Sequence, residues 1–367
     1  MNKLVIMAGG TGGHVFPGLA VAHKMQSLAW QIDWIGTADK MEAQLVPEHG
    51  FPIHFIDIGG VRGKSAITKL LTPIKLCHAV FQAFRLLRRI KPDAVLGMGG
   101  YASGPGGLAA YLLGIPIIIH EQNAVFGMTN RYLTKLARAT LSGFDLSNSQ
   151  NAASKNITAT FVGNPIREAF FQIPALSSIS RENNAVNILI VGGSLGALAL
   201  NENIPPILNR LSESLNINVR HQSGKGKLEA LQHVYKDECK AELLEFLPNI
   251  QDDFAWADII ICRAGALTVA EVAGAGRAAI FVPLPIAVDD HQTANAKNLS
   301  DKQAAILLAQ KDIDSGLEDI LRKLCTDKNY RIEMAAKARQ CAISDATEKV
   351  ASVIVENTLK RSSKEPS

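Results

Sequence analysis

Leu4-Val5-Ile6-Met7-Ala8-Gly9-Gly10-Thr11-Gly12-Gly13-His14-Val15-Phe16-Pro17 decides the reading of the fold. An apolar run breaks on four glycines and resumes in Leu, Ala and Met at helical spacing, the pattern of strand, turn and helix. Such a turn leaves backbone N–H groups bare at the positive end of a helix, which is the physics of a phosphate or pyrophosphate seat. Pro17 is expected in the first helical turn, where its missing N–H costs nothing. His14 is the ionisable group inside the loop and the first candidate for proton transfer. Common nucleotide fingerprints fail here: G-x-G-x-x-G from Gly10 would need glycine at Val15, and a Walker A motif ending in Gly63-Lys64-Ser65 would need glycine at Ile58. A nicotinamide dehydrogenase is disfavoured on that ground.

The same grammar recurs along the chain. Strand-like runs fall at 3–7, 31–35, 53–56, 94–97, 115–120, 139–141 and 160–162, with helical stretches between them. Gly163-Asn164-Pro165 interrupts the series, and the pattern restarts at Asn187-Ile188-Leu189-Ile190-Val191-Gly192-Gly193-Ser194. Further strands are expected at 217–221, 242–246, 258–262, 278–282 and 304–308. The fold class is therefore α/β, two Rossmann-like doubly wound domains facing a cleft. We expect a first domain over 1–163, a second over 164–344, and a helix at about 345–360 that packs back on the first.

Composition narrows the class. A chain of 367 residues, 47% hydrophobic and 20% charged, is that of a globular protein too long for one ordinary core. A net charge of +4 is too small to argue for nucleic acid. The five cysteines are scattered and never in C-x-x-C spacing, so neither a disulfide framework nor a zinc site is expected. The start of the chain lacks the apolar length of a signal peptide, and the longest apolar run, Leu108–Ile119, is too short to span a bilayer.

Several strand ends carry chemistry. Gly97–Gly107 is a second glycine turn, in which Tyr101 and Ser103 place hydroxyls among bare amides, and His120-Glu121-Gln122-Asn123 ends an apolar run. In the second half Gly192–Gly196 can receive a phosphate with help from Ser194, and residues 265–268 begin a helix whose free amides can face phosphates. Glu271, about one turn on in a small apolar helix, is placed to accept both hydroxyls of a ribose. His221-Gln222-Ser223-Gly224-Lys225-Gly226 ends another strand, where Lys225 either faces phosphate or simply belongs to a turn. Asp289-Asp290-His291-Gln292 has metal-binding residue types, but adjacent acids point in different directions, and Gln292 and Asn295 read better as partners of sugar hydroxyls. Lys69–Lys91 mixes Leu70, Leu71, Ile74, Leu76, Phe81, Phe84, Leu86 and Leu87 with six cations, a combination that an anionic membrane surface attracts and that a core-facing helix with a basic outer face also shows.

Taken together, GGTGGHVFPGLAVA at 9–22, GTADKMEAQLVP at 36–47, GMGGYASGPGG at 97–107, HEQN at 120–123, GNPIR at 163–167, HQSGKG at 221–226 and GALTVAE at 265–271 resemble the MurG family. The likeness implies the glycosyltransferase-B fold and inverting transfer of N-acetylglucosamine from UDP-N-acetylglucosamine to the C4 hydroxyl of undecaprenyl-diphosphate-N-acetylmuramyl-pentapeptide, in peptidoglycan synthesis. It implies donor contacts at Thr11, Gly12, Gly13, Asn123, Arg167, Ser194, Leu247, Ala266, Leu267, Thr268, Val269, Ala270, Glu271 and Gln292. The acceptor diphosphate is expected on Gly10, Thr11, Gly100, Tyr101 and Ser103. His14 is the expected base, with Glu121 and Tyr101 as further candidates. No cofactor or metal is expected, and the implied location is peripheral, on the cytoplasmic face of the inner membrane, with Lys69–Lys91 touching anionic lipid. Leu195 where Gln is usual, Ala264 where Ser is usual, Ile286 where His is common and Leu247 where Ile is expected are departures from the family pattern. A UDP-N-acetylglucosamine 2-epimerase or a non-catalytic UDP-sugar-binding protein are the alternatives.

Overall fold

The structure is a computed structural model; it describes residues 1–59, 72–147, 157–180, 185–193 and 196–362. Two compact units divide the chain, Met1–Ile166 with Asp345–Ser367, and Arg167–Ser344.

In unit 1 the strands are β1 (Lys3–Ala8), β2 (Gln31–Gly36), β3 (Ile53–Phe55), β4 (Ala94–Gly99), β5 (Ile117–Glu121), β6 (Ala139–Ser142) and β7 (Thr160–Phe161). They pair in the order β3-β2-β1-β4-β5-β6-β7, every pair parallel. Parallel strands are covered by helices on both faces, which is why they read as apolar runs rather than alternating ones. Helices α1 (Gly12–Ser27), α2 (Glu42–Glu48), α3 (Thr72–Ile90), α4 (Ser103–Leu112) and α5 (Met128–Leu133) join them. One face buries Leu4, Ile6, Val15 and Trp34 with Val350 and Ile354 of the last helix; the other buries Val5, Met7, Ala83 and Leu87.

Unit 2 runs β8 (Val186–Val191), α6 (Leu198–Ser212), β9 (Ile217–Gln222), α7 (Leu228–Gln232), β10 (Ala241–Leu244), α8 (Ile250–Trp256), β11 (Ile259–Cys262), α9 (Ala266–Ala275), β12 (Ala278–Phe281), α10 (His291–Ser300), β13 (Ile306–Leu307), α11 (Ile313–Thr326) and α12 (Lys328–Gln340). Its parallel sheet has the order β10-β9-β8-β11-β12-β13. The last helix, α13 (Ala346–Ser362), belongs to unit 1, where it packs on α1.

Both sheets reverse strand order once, between β1 and β4 and between β8 and β11. In open α/β sheets the crevice at such a switch, beyond the strands' carboxyl ends, is where ligands bind. The glycine turns after β1, β4, β8 and β11 lie at those switches.

Pro17 differs from expectation. Helix α1 already starts at Gly12, so Pro17 is its sixth residue and not part of the first turn. Both glycines adopt helical geometry, and the ring's missing N–H falls opposite a carbonyl of the opening turn. Leu87, expected among lipid-facing side chains, is fully buried, and Phe84 and Leu86 pack against the same core.

Candidate active site

In unit 1 the two glycine turns pack on each other. A Cβ on Gly100 (φ +84°) would stand 2.3 Å from the Gly9 carbonyl oxygen, and one on Gly99 (φ +98°) would meet the His14 ring at 2.9 Å. Gly100 therefore serves this close approach, a reason for glycine that does not need a diphosphate. Ser103 is also taken: fully buried, its Oγ lies 2.7 Å from the Met7 carbonyl and 2.8 Å from the Gly99 carbonyl. The hydroxyl fastens β1 to β4 and is not presented to a ligand, which corrects its assignment to the acceptor diphosphate. Tyr101 is half exposed and lines a groove of about 760 Å³ with Ile74, Leu76, Pro105 and Met128.

Gly10 is corrected as well. Its N–H donates to Glu42 Oε2 (2.9 Å), while Glu42 Oε1 accepts from the Thr37 N–H (3.0 Å) and hydroxyl (2.7 Å). Glu42 is fully buried, and its carboxylate holds the turn from beneath. Motif 36–47 contains this residue, but nothing in the spacing says that it reaches back 32 positions. What remains as an anion seat is Thr11 to Gly13. Thr11 is the exposed N-cap of α1 and makes no side-chain cap bond, and the first N–H groups of α1 have no partner within the helix.

Four donors surround the carboxylate of Glu121. Oε1 accepts from Asn123 N and Nδ2, both at 3.1 Å, and Oε2 from Gly127 N (3.1 Å) and Asn130 Nδ2 (2.8 Å). A carboxylate saturated in this way shapes the 121–130 loop and is poorly suited to collect a substrate proton, so the structure argues against Glu121 as a base. Asn123 is held by the same contacts.

His14 stands in the first turn of α1, half-buried, with Nδ1 2.9 Å from Gln122 Oε1. An amide oxygen only accepts, so Nδ1 carries the proton and Nε2 offers its lone pair. Among the described residues Nε2 makes no hydrogen bond. Glu121 has its acceptor sites filled, whereas His14 presents an open ring nitrogen.

In unit 2, α9 begins after the N-cap Gly265, which makes no side-chain cap bond. The N–H groups of Ala266, Leu267 and Thr268 therefore lack helical partners, as an anion seat requires. Side chains of Ala266, Leu267 and Val269 point into the core, so contacts there fall to backbone. Glu271 follows in the second turn, nearly buried, with Oε1 3.7 Å from Arg167 Nη2. Burial pushes its pKa up to about 7 against the opposing pull of Arg167. The Arg167 guanidinium also lies over the Phe170 ring, 5.2 Å from its centre. Gln292 Oε1 accepts from the Leu284 N–H (2.9 Å), which turns its amide nitrogen away from that backbone. Asn295, expected beside it on sugar hydroxyls, is fully buried with Nδ2 on the Ala264 carbonyl (3.1 Å). Leu247, in the connection from β10 to α8, is buried. Ile286 is exposed, and Ser194 and Leu195 lie outside the described residues. Asp289 and Asp290 both take left-handed φ, at +53° and +51°, leading into α10. Among the described residues no three His, Cys, Asp or Glu side chains gather as a metal site.

His221 is a core histidine. It is fully buried, its pKa pushed down to about 3 by burial, with Nδ1 2.9 Å from the Tyr235 hydroxyl and Nε2 3.1 Å from Asn201 Oδ1.

Comparison with known proteins places this arrangement. Residues 4–142 match the glycosyltransferase family 28 N-terminal domain, and residues 187–354 the family's C-terminal domain. A relative from Tolumonas auensis, named UDP-N-acetylglucosamine–N-acetylmuramyl-(pentapeptide) pyrophosphoryl-undecaprenol N-acetylglucosamine transferase, is 51% identical over 96% of this chain and 98% of its own. One of the same name from Psychromonas ingrahamii is 49% identical over 96% and 98%. The crystal structure of Acinetobacter baumannii MurG superposes with a TM-score of 0.83 at 44% identity, covering 97% of this chain and all of that one. A UDP-N-acetylglucosamine 2-epimerase from Neisseria meningitidis, at a TM-score of 0.67 and 14% identity, shares the fold alone. Length, motifs and both half-chains agree, and the chain belongs to the MurG family of glycosyltransferases.

Proposed function

We propose that the chain transfers N-acetylglucosamine from UDP-N-acetylglucosamine to the C4 hydroxyl of polyprenyl-diphosphate-linked N-acetylmuramyl-pentapeptide, with inversion at the anomeric carbon. The observation that carries the chemistry is His14, held through Nδ1 with Nε2 open at the start of α1. His14 Nε2 takes the proton of the attacking hydroxyl, a role worth about 10²–10⁴ in rate. Unit 2 carries the donor: the amides of 266–268 hold its pyrophosphate, Glu271 its ribose, and Gln292 Nε2 a sugar hydroxyl. UDP departs as an anion, and the α9 N-terminus with Arg167 stabilises the charge that develops on it. Unit 1 carries the acceptor diphosphate at Thr11, on the same turn whose Gly12 and Gly13 the resemblance assigns to the donor.

No described helix is long and apolar enough to cross a membrane. We further propose peripheral contact with anionic lipid through α3, on the cytoplasmic face of the bacterial inner membrane. Ile74, Leu76 and Phe81 are exposed there beside Lys75, Arg85, Arg88 and Arg89. Sedimentation with anionic but not zwitterionic vesicles, weakened by salt and by Phe81→Ser, is the expected outcome; equal binding to both would overturn it.

Transfer is tested with radiolabelled UDP-N-acetylglucosamine and a short-chain polyprenyl-diphosphate acceptor, with and without chelator. Label is expected to reach the lipid in both. Label remaining on UDP while donor binding is intact would favour a binding protein, and epimerised sugar nucleotide without acceptor would favour the epimerase reading.

A further inference from the structure

His14 does not stand alone on Gln122. Gln122 Nε2 lies 3.1 Å from His120 Nδ1 and 3.1 Å from the His120 carbonyl oxygen, and His120 Nε2 lies 2.9 Å from the Gly163 carbonyl oxygen. All members belong to unit 1, and Gln122 and His120 are essentially fully buried.

The direction of every bond in this chain is forced. The Gly163 carbonyl only accepts, so His120 Nε2 carries the hydrogen and, in the neutral ring, Nδ1 accepts. The His120 carbonyl also only accepts, which independently turns the Gln122 NH₂ toward it. One NH₂ serves both acceptors, and Gln122 Oε1 is left facing His14, where it must accept from Nδ1–H. The proton of His14 is thereby excluded from Nε2. Burial keeps His120 neutral at physiological pH, its pKa lowered to about 4, so the series does not reverse there.

We infer that Gln122 and His120 are positioning residues that fix His14 as its Nδ1–H tautomer, through a polar relay that starts at the Gly163 carbonyl. This rests on His14 being the proton acceptor. An unrestrained imidazole in water favours hydrogen on Nε2, the tautomer that offers its lone pair at the wrong atom. The strand end 120–122 thus contributes to the chemistry without touching substrate.

The test is ¹⁵N NMR of histidine-labelled full-length protein at alkaline pH, the His14 signals being assigned from their loss in His14→Ala. Wild type is expected to show a pyrrole-type Nδ1 and a pyridine-type Nε2. Gln122→Met, similar in shape but with only a weakly accepting thioether in place of the amide oxygen, is expected to move the ring toward Nε2–H and lower kcat about 10–10²-fold, while the donor KM stays within about twofold. Gln122→Glu keeps an acceptor opposite Nδ1 and is expected to restore the Nδ1–H signature and part of the lost kcat. A wild-type ring protonated at Nε2 would overturn the inference, as would a Gln122→Glu variant no better than Gln122→Met. Loss of thermal stability and a parallel decline of kcat and donor affinity, with the tautomer unchanged, would reduce Gln122 to a structural role and overturn it too. If His14→Ala keeps full kcat while wild type shows Nδ1–H, the base reading fails and the tautomer assignment stands.

Discussion

His120 is the penultimate residue of β5 in unit 1, His221 the penultimate residue of β9 in unit 2, and both rings are fully buried and held neutral by burial. Each belongs to a hydrogen-bonded series running through a side-chain amide, Gln122 in one and Asn201 in the other. The two series end differently. In unit 1 the amide oxygen reaches a half-buried imidazole with an open nitrogen. In unit 2 the amide nitrogen donates to the Ser223 carbonyl (2.9 Å), beside the turn against which Gly196 packs. One series ends in a group that can exchange a proton; the other closes on backbone and serves to hold a turn. Position at a strand end and the presence of histidine are thus poor guides to chemistry, and the terminal acceptor decides.

The largest effect that tests this contrast is on the open end. His14→Ala is expected to lower kcat by about 10²–10⁴ with donor affinity near normal, read by steady-state kinetics and by UDP-N-acetylglucosamine titration. An unchanged kcat would erase the distinction between the two series.

Unit 2 places its titratable chemistry at Glu271 instead of His221. The free carboxyl is half protonated near pH 7, and ribose hydroxyls are expected to bind its ionised form. Donor affinity should therefore fall as pH drops below about 7, by up to tenfold per unit, and Glu271→Gln should bind weakly without that slope. Stability moves the other way. The folded pKa stands above the ordinary 4.5, so the group favours the fold below that value, and this is lost as pH rises to about 7. At pH 8, Glu271→Gln is expected to be more stable than wild type by on the order of 2–3 kcal/mol in thermal or urea melts. A variant that is less stable would show that Glu271 is not held against a desolvation cost.

The strands were legible because parallel, doubly covered strands must be apolar whatever lies beside them, and those of the switch points β1, β4 and β8 run into glycine turns. His14 and the start of α9 were legible for the same local reason, since a turn and a helix start are defined by neighbouring residues. Ser103, Gly10 and Glu121 were misread because a polar side chain's partner is a tertiary fact. Ser103 reaches Met7, 96 positions away, and Glu42 reaches Gly10 from an element with no glycine motif of its own. Gln122 announced itself as polar at a strand end, but its role needed the Gly163 carbonyl, brought up by a turn 41 residues later.

The smallest effect concerns the closed series. Gln at position 221 can reproduce its polarity, with Nε2 donating to Asn201 Oδ1 and Oε1 accepting from the Tyr235 hydroxyl, so His221→Gln is expected to cost about 1 kcal/mol at pH 7 and leave kcat near wild type. The pH dependence is more telling. His221 is depressed from 6.5 to about 3, so wild-type stability is lost as pH falls below 6.5, while the unfolded chain gains a proton that the buried ring refuses. Glu271 and His120 act alike in both proteins and cancel in the difference. The gap should therefore close by up to about 1.4 kcal/mol per pH unit below 6.5 and reverse a little below pH 6. A gap that stays constant across that range would mean that the ring accepts a proton in the fold, so that the closed series has an opening of its own.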